Sequence, residues 1–283
     1  MSCGRVCIVW IDVMAPDQLL WISGALVGIG VAISSLETLA ARGDYERGGI
    51  FACAVLVERA RFAKTRALPV AWRRIYRPST IQLVSVLRLL AACGLLVPGI
   101  PIWVRGLCAL VALVATGLTT LFSPEGFDGS DKMAKVVLAG VATANIGFGS
   151  PMVVMWASAF IAAHACLAYG ASGVAKVVSP SWRSGRALAG IVATRSFGDR
   201  RASAVLVGHP GWSRLLAWMA IAWECAVPLA LLAPSWLLAA LLVAGVLFHS
   251  IAARVMGLNT FFWSFVATYP AIVAINHMIR AWL

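Results

Sequence analysis

Apolar residues run along this chain in long blocks, and polar or basic clusters fall between them. A block of roughly 20 apolar residues is what an α-helix needs to cross a bilayer. The first such block runs from Leu19 to Ala41 and carries Gly24, Gly28 and Gly30, small residues that permit close helix approach. The blocks that follow are Ile81–Val97, ended by Pro98-Gly99-Ile100-Pro101, and Trp103–Phe122, closed by the turn-rich SPEGFDGSDK. Then come Met133–Phe148, Met152–Ala175, Leu215–Ala233, Trp236–Ala253 and Phe261–Ile279. The pattern predicts an all-α polytopic transmembrane bundle of about eight spans. Lys135 shortens the fourth block, and seven spans is the count if that block does not cross.

Residues 1–17 read as an N-terminal tail, because the apolar stretch there is short, meets Asp12 and Asp17, and lacks a small-residue cleavage site. Residues 18–283 read as one transmembrane domain. Its long basic loop, 42–80, contains GIFACAVLV, nine residues that are too few to cross and fit an interfacial segment better.

Composition strengthens the membrane reading. Apolar residues make up 61% of the chain and charged ones 12%, against about 25% charged in a soluble domain. Twelve Trp suit membrane–water interfaces. The net charge of +12 would raise nucleic acid in a soluble protein. Here the basic residues gather in alternate loops (42–80, 123–135, 176–214 and near 254), leaving little but Arg5, Arg105 and Arg280 opposite. The positive-inside rule puts those loops in the cytoplasm and both termini outside. The lipid bilayer is therefore the expected partner, and nucleic acid is not. The four His lack ligand spacing and the seven Cys form no CxxC pair, so no metal site is expected, and Cys3–Cys7 reads as free thiols rather than a disulfide.

An ionisable side chain within a span costs about 2.5–3.5 kcal/mol on insertion scales and so needs a partner or a function. Glu37, Arg88, His164, Glu224 and His249 all fall in spans. One reading pairs Arg88 with Glu224 or Glu37 to fix the bundle. The other has Glu224, His164 and His249 line a polar cavity for a substrate or protons. Lys176 ends the fifth span and Trp182 follows six residues later, the pattern of a snorkelling lysine with an aromatic anchor.

Gly173-Val174-Ala175-Lys176, then Pro180-Ser181-Trp182 and Gly185, resembles the vitamin K-dependent carboxylase-like, or HTTM, transmembrane superfamily. A second matching stretch is FHSIAARVMGLNTFFWSFVA (Phe248–Ala267), and LETLAARGDYERGGIFA also looks like bacterial members. The likeness spans roughly residues 18–275. In size, and in its Asp128–Lys132 loop, the chain resembles compact bacterial members of the sporulation-delaying-protein B type. Those work with a small soluble partner to mature a secreted peptide.

The resemblance implies an inner-membrane protein that modifies a peptide or small molecule in a cavity of the bundle. Lys176 would be the base, His249 would line the same pocket, and Glu224, His164, Trp182 and Arg88 would contact substrate. A reduced quinone is the candidate cofactor. A lysine half-desolvated at a helix end gives up its proton more readily, which suits the role. Two departures count against carboxylation itself. Asp128-Gly129-Ser130-Asp131-Lys132 stands where the carboxylases have an Asn- and His-rich motif, and the large extramembrane domain is lacking. Carboxylases also work on the extracytoplasmic face, whereas the loop charges put Lys176 on the cytoplasmic one. The expectation is that Lys176→Ala abolishes activity and leaves folding intact. Two other classes stay open, a quinone-linked redox protein of the DoxX-like sort and a scaffold or transporter for a soluble partner.

Overall fold

The computed structural model describes residues 14–46, 49, 77–122, 129–194 and 198–283, and among them all regular structure is helical. The nine-residue apolar segment in the 42–80 loop, and Cys3 with Cys7, lie essentially outside the described residues. The long helices are α1 (Pro16–Ala40), α2 (Pro78–Leu96), α3 (Ile102–Phe122), α4 (Gly129–Ile146) and α5 (Pro151–Val178). Three short helices follow on the basic side, α6 (Pro180–Arg183), α7 (Arg186–Val192) and α8 (Arg200–Gly208). The chain ends with α9 (Pro210–Ala226), α10 (Ser235–Met256), α11 (Asn259–Val266) and α12 (Tyr269–Trp282).

Proline starts several of these helices, where its missing N–H costs nothing. Two expected single spans are broken for the same reason. Pro228 turns the end of α9 into a 3-10 segment, Val227–Leu231, and Pro270 separates α11 from α12.

Seven helical stretches among the described residues are long and apolar enough to cross a membrane, with α11 and α12 together forming the last. The fourth predicted span is the exception. As α4 it exists and packs between α3 and α5, but Asp131, Lys132 and Lys135 within its 18 residues leave it short of an apolar crossing. Its inner face is among the most buried in the molecule, with Val137, Leu138 and Val141 fully enclosed. Neighbouring helices, rather than lipid, solvate that element, and when it crosses under their cover, loops 42–80, 123–135 and 176–214 share one side of the membrane.

The surface is turned outward in the way a bilayer requires. Leu83, Leu90, Trp103, Val114, Trp156 and Leu247 are among the many exposed large apolar residues, whereas Ser23, Ser85, Thr116, Ser158, Thr268 and Asn276 are buried. Such contiguous apolar surface is not stable in water, while polar side chains pointing inward are how membrane bundles satisfy their polar groups. The chain is therefore a polytopic helical membrane protein.

Packing is sequential over the first half, with α1 on α2, α2 on α3, α3 on α4 and α4 on α5. The glycines of α1 do what their size suggests. A side chain on Gly28 would press on the Ala92 carbonyl, and one on Gly30 would enter Trp263 of α11. Helix α5 then packs on α9 and α12, and this second half carries the polar residues of interest.

Asn276 shows how the Pro228 break is made good. Its side-chain N–H groups donate to the carbonyls of Ala230 and Ala233 at 2.8 and 2.9 Å, in a wholly buried position. Asn276→Leu strands the Ala233 carbonyl and leaves the Ala230 carbonyl only the longer bond from Ala233 N at 3.4 Å. A buried acceptor without a partner costs about 1–3 kcal/mol, so the variant should unfold at a clearly lower temperature in detergent. An unchanged midpoint would show that water takes over these bonds.

Candidate functional site

Helix α5 presents Tyr169, Ser172 and Lys176 at spacings of three and four, which puts them along one stripe. That stripe meets α9, and Gly173 sets the distance. A Cβ at Gly173 would lie 2.7 Å from Cys225 Sγ and 2.9 Å from the Cys225 backbone nitrogen, so only glycine lets the two helices come this close. The approach brings Lys176 to Glu224. The ammonium donates to both carboxylate oxygens at 2.7 and 2.6 Å and to Ser172 Oγ at 2.5 Å. The side chains are 15% and 6% exposed, which makes this a charge pair largely removed from solvent.

The segment after Lys176 folds back over the pair. Gly185 has φ of +80°, and a Cβ there would run into the backbone of Ser213 and Arg214. Ser213 Oγ donates to the Gly185 carbonyl at 2.7 Å, and Trp218 Nε1 donates to the Arg183 carbonyl at 3.2 Å. Strapped to α9 in this way, α6 holds the Trp182 ring with its centroid 5.0 Å from Lys176 Nζ, within cation–π range. The four residues that carry the sequence motif, Gly173, Lys176, Trp182 and Gly185, thus each hold a part of one arrangement.

His249 belongs to a neighbouring cluster. It is fully buried on α10, and its Nε2 lies 2.7 Å from the Tyr169 hydroxyl, which is itself 3.3 Å from that of Tyr269. Aromatic rings of Phe248, Phe261, Phe265 and Trp223 surround it, with Phe265 stacked at 5.1 Å. Its Nδ1 is buried with no hydrogen-bond partner among the described residues. Trp223, next to Glu224 in sequence, packs against both Tyr169 and His249 and ties the two clusters together. Gly245 gives the Tyr269 hydroxyl and the Trp223 ring their room on α10.

Two expected members lie elsewhere. His164 is exposed on a different face of α5, where its Nδ1 donates to the Phe160 carbonyl at 2.9 Å, so it lines no cavity with Glu224. Arg88 does not pair with Glu224, whose partner is Lys176. It is 3% exposed on α2, and donates from Nε to Thr116 at 3.1 Å and from Nη2 to Ser34 at 3.4 Å. Among the described residues no contact joins Arg88 to Glu37, so the alternative Arg88–Glu37 pair is not formed either. Ser172, Tyr169 and Tyr269 were not singled out from sequence. Ser172 had a signal, since it stands four residues before Lys176.

An open depression of about 440 Å3, lined by Gly208, His209, Pro210, Gly211, Trp212 and Leu215, lies at the start of α9. None of the charge-pair residues lines it. No protein family, curated protein or solved structure matches the chain.

Proposed function

We propose that this polytopic protein is an HTTM-like protein of a bacterial inner membrane, with its basic loops in the cytoplasm, that modifies or matures a peptide or small molecule. The work would be done at the Lys176–Glu224–Trp182 site. What carries the reading is convergence. The short motif chosen from sequence supplies the lysine, its aromatic cover and both close-approach glycines, and α9 adds a carboxylate in contact. A charged group kept inside a membrane bundle is costly, and this one is held with three hydrogen bonds instead of being left to snorkel.

The contact changes the chemistry expected of Lys176. It faces a carboxylate instead of standing alone in an apolar end, so it works as one half of a proton-holding pair. His249 supports the neighbouring wall through Tyr169 and makes no contact with the lysine among its hydrogen bonds. A reduced quinone remains the candidate cofactor, and a small soluble protein the candidate partner.

Mass spectrometry of small molecules and peptides that co-purify with the detergent-solubilised protein tests this. The comparison is wild type against Lys176→Met/Glu224→Leu, which removes both charges together and leaves neither unpaired. A species present in wild type and lost in the double variant is the expected result. Identical spectra would show that the pair binds nothing and serves the fold alone. A quinone as the lost species would move the reading toward redox chemistry.

A further inference from the structure

We propose that Ser172 is a nucleophile, activated by Lys176 and Glu224, that takes the acyl group of an ester seated at the bilayer surface. This deepens the reading above and rests on it, in that it names the reaction and the substrate class of the same site.

Three facts carry it. Ser172 Oγ and Lys176 Nζ lie 2.5 Å apart on consecutive turns of α5, the serine–lysine contact that nucleophilic catalysis requires. The lysine is oriented in turn by a third group, since Nζ reaches both Glu224 oxygens at 2.6 and 2.7 Å. A nucleophile, a proton carrier and an orienting carboxylate thus stand within hydrogen-bonding reach of one another. The third fact is access. Ser172 and Lys176 are half-buried rather than sealed, and the residues around them on α5, Ala171, Val174, Ala175, Val177 and Val178, are exposed and apolar. An apolar chain lying in the leaflet can rest on that surface with its carbonyl at Ser172.

The chemistry balances with the groups present. Nζ first passes a proton to a Glu224 oxygen; the neutral amine then turns its lone pair to Ser172 and takes the hydroxyl proton as Oγ bonds to the ester carbonyl carbon. The ester C–O bond breaks, the proton returns from Glu224 through Nζ to the departing alkoxide, and an alcohol leaves. The acyl group stays on Ser172. Water then attacks the acyl carbon, giving its proton up by the same path, and an acid is released as Ser172 is restored. No oxidant, reductant or further reactant enters.

A long-alkyl fluorophosphonate, incubated with the detergent-solubilised protein and followed by tandem mass spectrometry of its peptides, reads the nucleophile directly. The expected result is a covalent adduct on Ser172, absent in Ser172→Ala. It should form at least about tenfold more slowly in Lys176→Arg and in Glu224→Gln. Lys176→Arg keeps a cation against Glu224, so the fold survives, but a guanidinium does not pass protons on. Unchanged gel-filtration elution confirms that. The long-alkyl probe should also react at least about tenfold faster than diisopropyl fluorophosphate, since its chain is held by the apolar surface.

No adduct on Ser172, or wild-type labelling in Lys176→Arg, overturns the proposal. Equal rates for the two probes overturn the membrane-seated substrate. Loss of a co-purified species in the double variant without any Ser172 adduct leaves the binding site standing and sinks the nucleophile.

Discussion

Lys176→Met is expected to destabilise the protein by about 3 kcal/mol, because it leaves the Glu224 carboxylate buried with no cation. Breaking one side of a buried pair costs about 3–5 kcal/mol, and the 15% exposure of Lys176 argues for the lower end. Adding Glu224→Leu should recover most of that loss, to within about 1 kcal/mol of wild type, since removing both charges leaves no uncompensated one. Thermal or denaturant unfolding in detergent measures both. If the single variant were as stable as wild type, the pair would be solvated and the site would lie open to water. This revises the expectation from sequence that an alanine at 176 leaves folding intact. That expectation treated the lysine as a lone group at a helix end, and the carboxylate beneath it changes the outcome.

Gly173→Val is expected to cost about 2–3 kcal/mol and to empty the site in the same step. Its branched side chain would have to enter space held by the Cys225 sulfur and backbone nitrogen and by the Glu224 Cβ, and backbone atoms do not move aside as a flexible side chain does. The strain is relieved by separating α5 from α9, which pulls Lys176 away from Glu224. Gly173→Ala should show the same two effects in smaller measure. The check is an unfolding midpoint together with the co-purification spectrum. A variant that lost stability but kept its ligand would place the ligand somewhere other than between these helices.

How far the sequence reaches can be seen residue by residue. Span limits were legible because apolar block length is set by bilayer thickness, and the helices match the blocks within a few residues except where Pro228 and Pro270 break them. The fourth block was legible as a helix. Its status as a crossing turned on three charges near its start.

Pairing was much less legible. Which of Arg88 and Lys176 meets Glu224 depends on which helices are neighbours, and sequence order does not say that α9 packs on α5. A buried position in a span likewise does not announce its direction. Ile161, Ala165 and Tyr169 mark the inner stripe of α5, and His164 falls off it. At about 100° per residue, His164 points some 120° from Lys176, so the periodicity did contain the answer. The motif residues Gly173, Lys176, Trp182 and Gly185 lie close together in the fold. The reason for Gly185, a positive φ pressed against the α9 backbone, needed the fold to be seen.

The most direct test of the account is a nitrogen–carbon distance in the protein reconstituted into lipid bilayers. The chain has only four lysines, Lys64, Lys132, Lys135 and Lys176, so 15Nζ labelling gives a short spectrum in which Lys176→Arg assigns the signal. With 13C at the glutamate carboxyl carbons, solid-state dipolar recoupling reads the separation of Lys176 Nζ from Glu224. A charge-assisted contact predicts a separation below about 4 Å, lost in Glu224→Gln. A Lys176 signal with no carboxyl carbon within about 6 Å would mean that the lysine snorkels to the headgroups, and the site built around the pair would not exist.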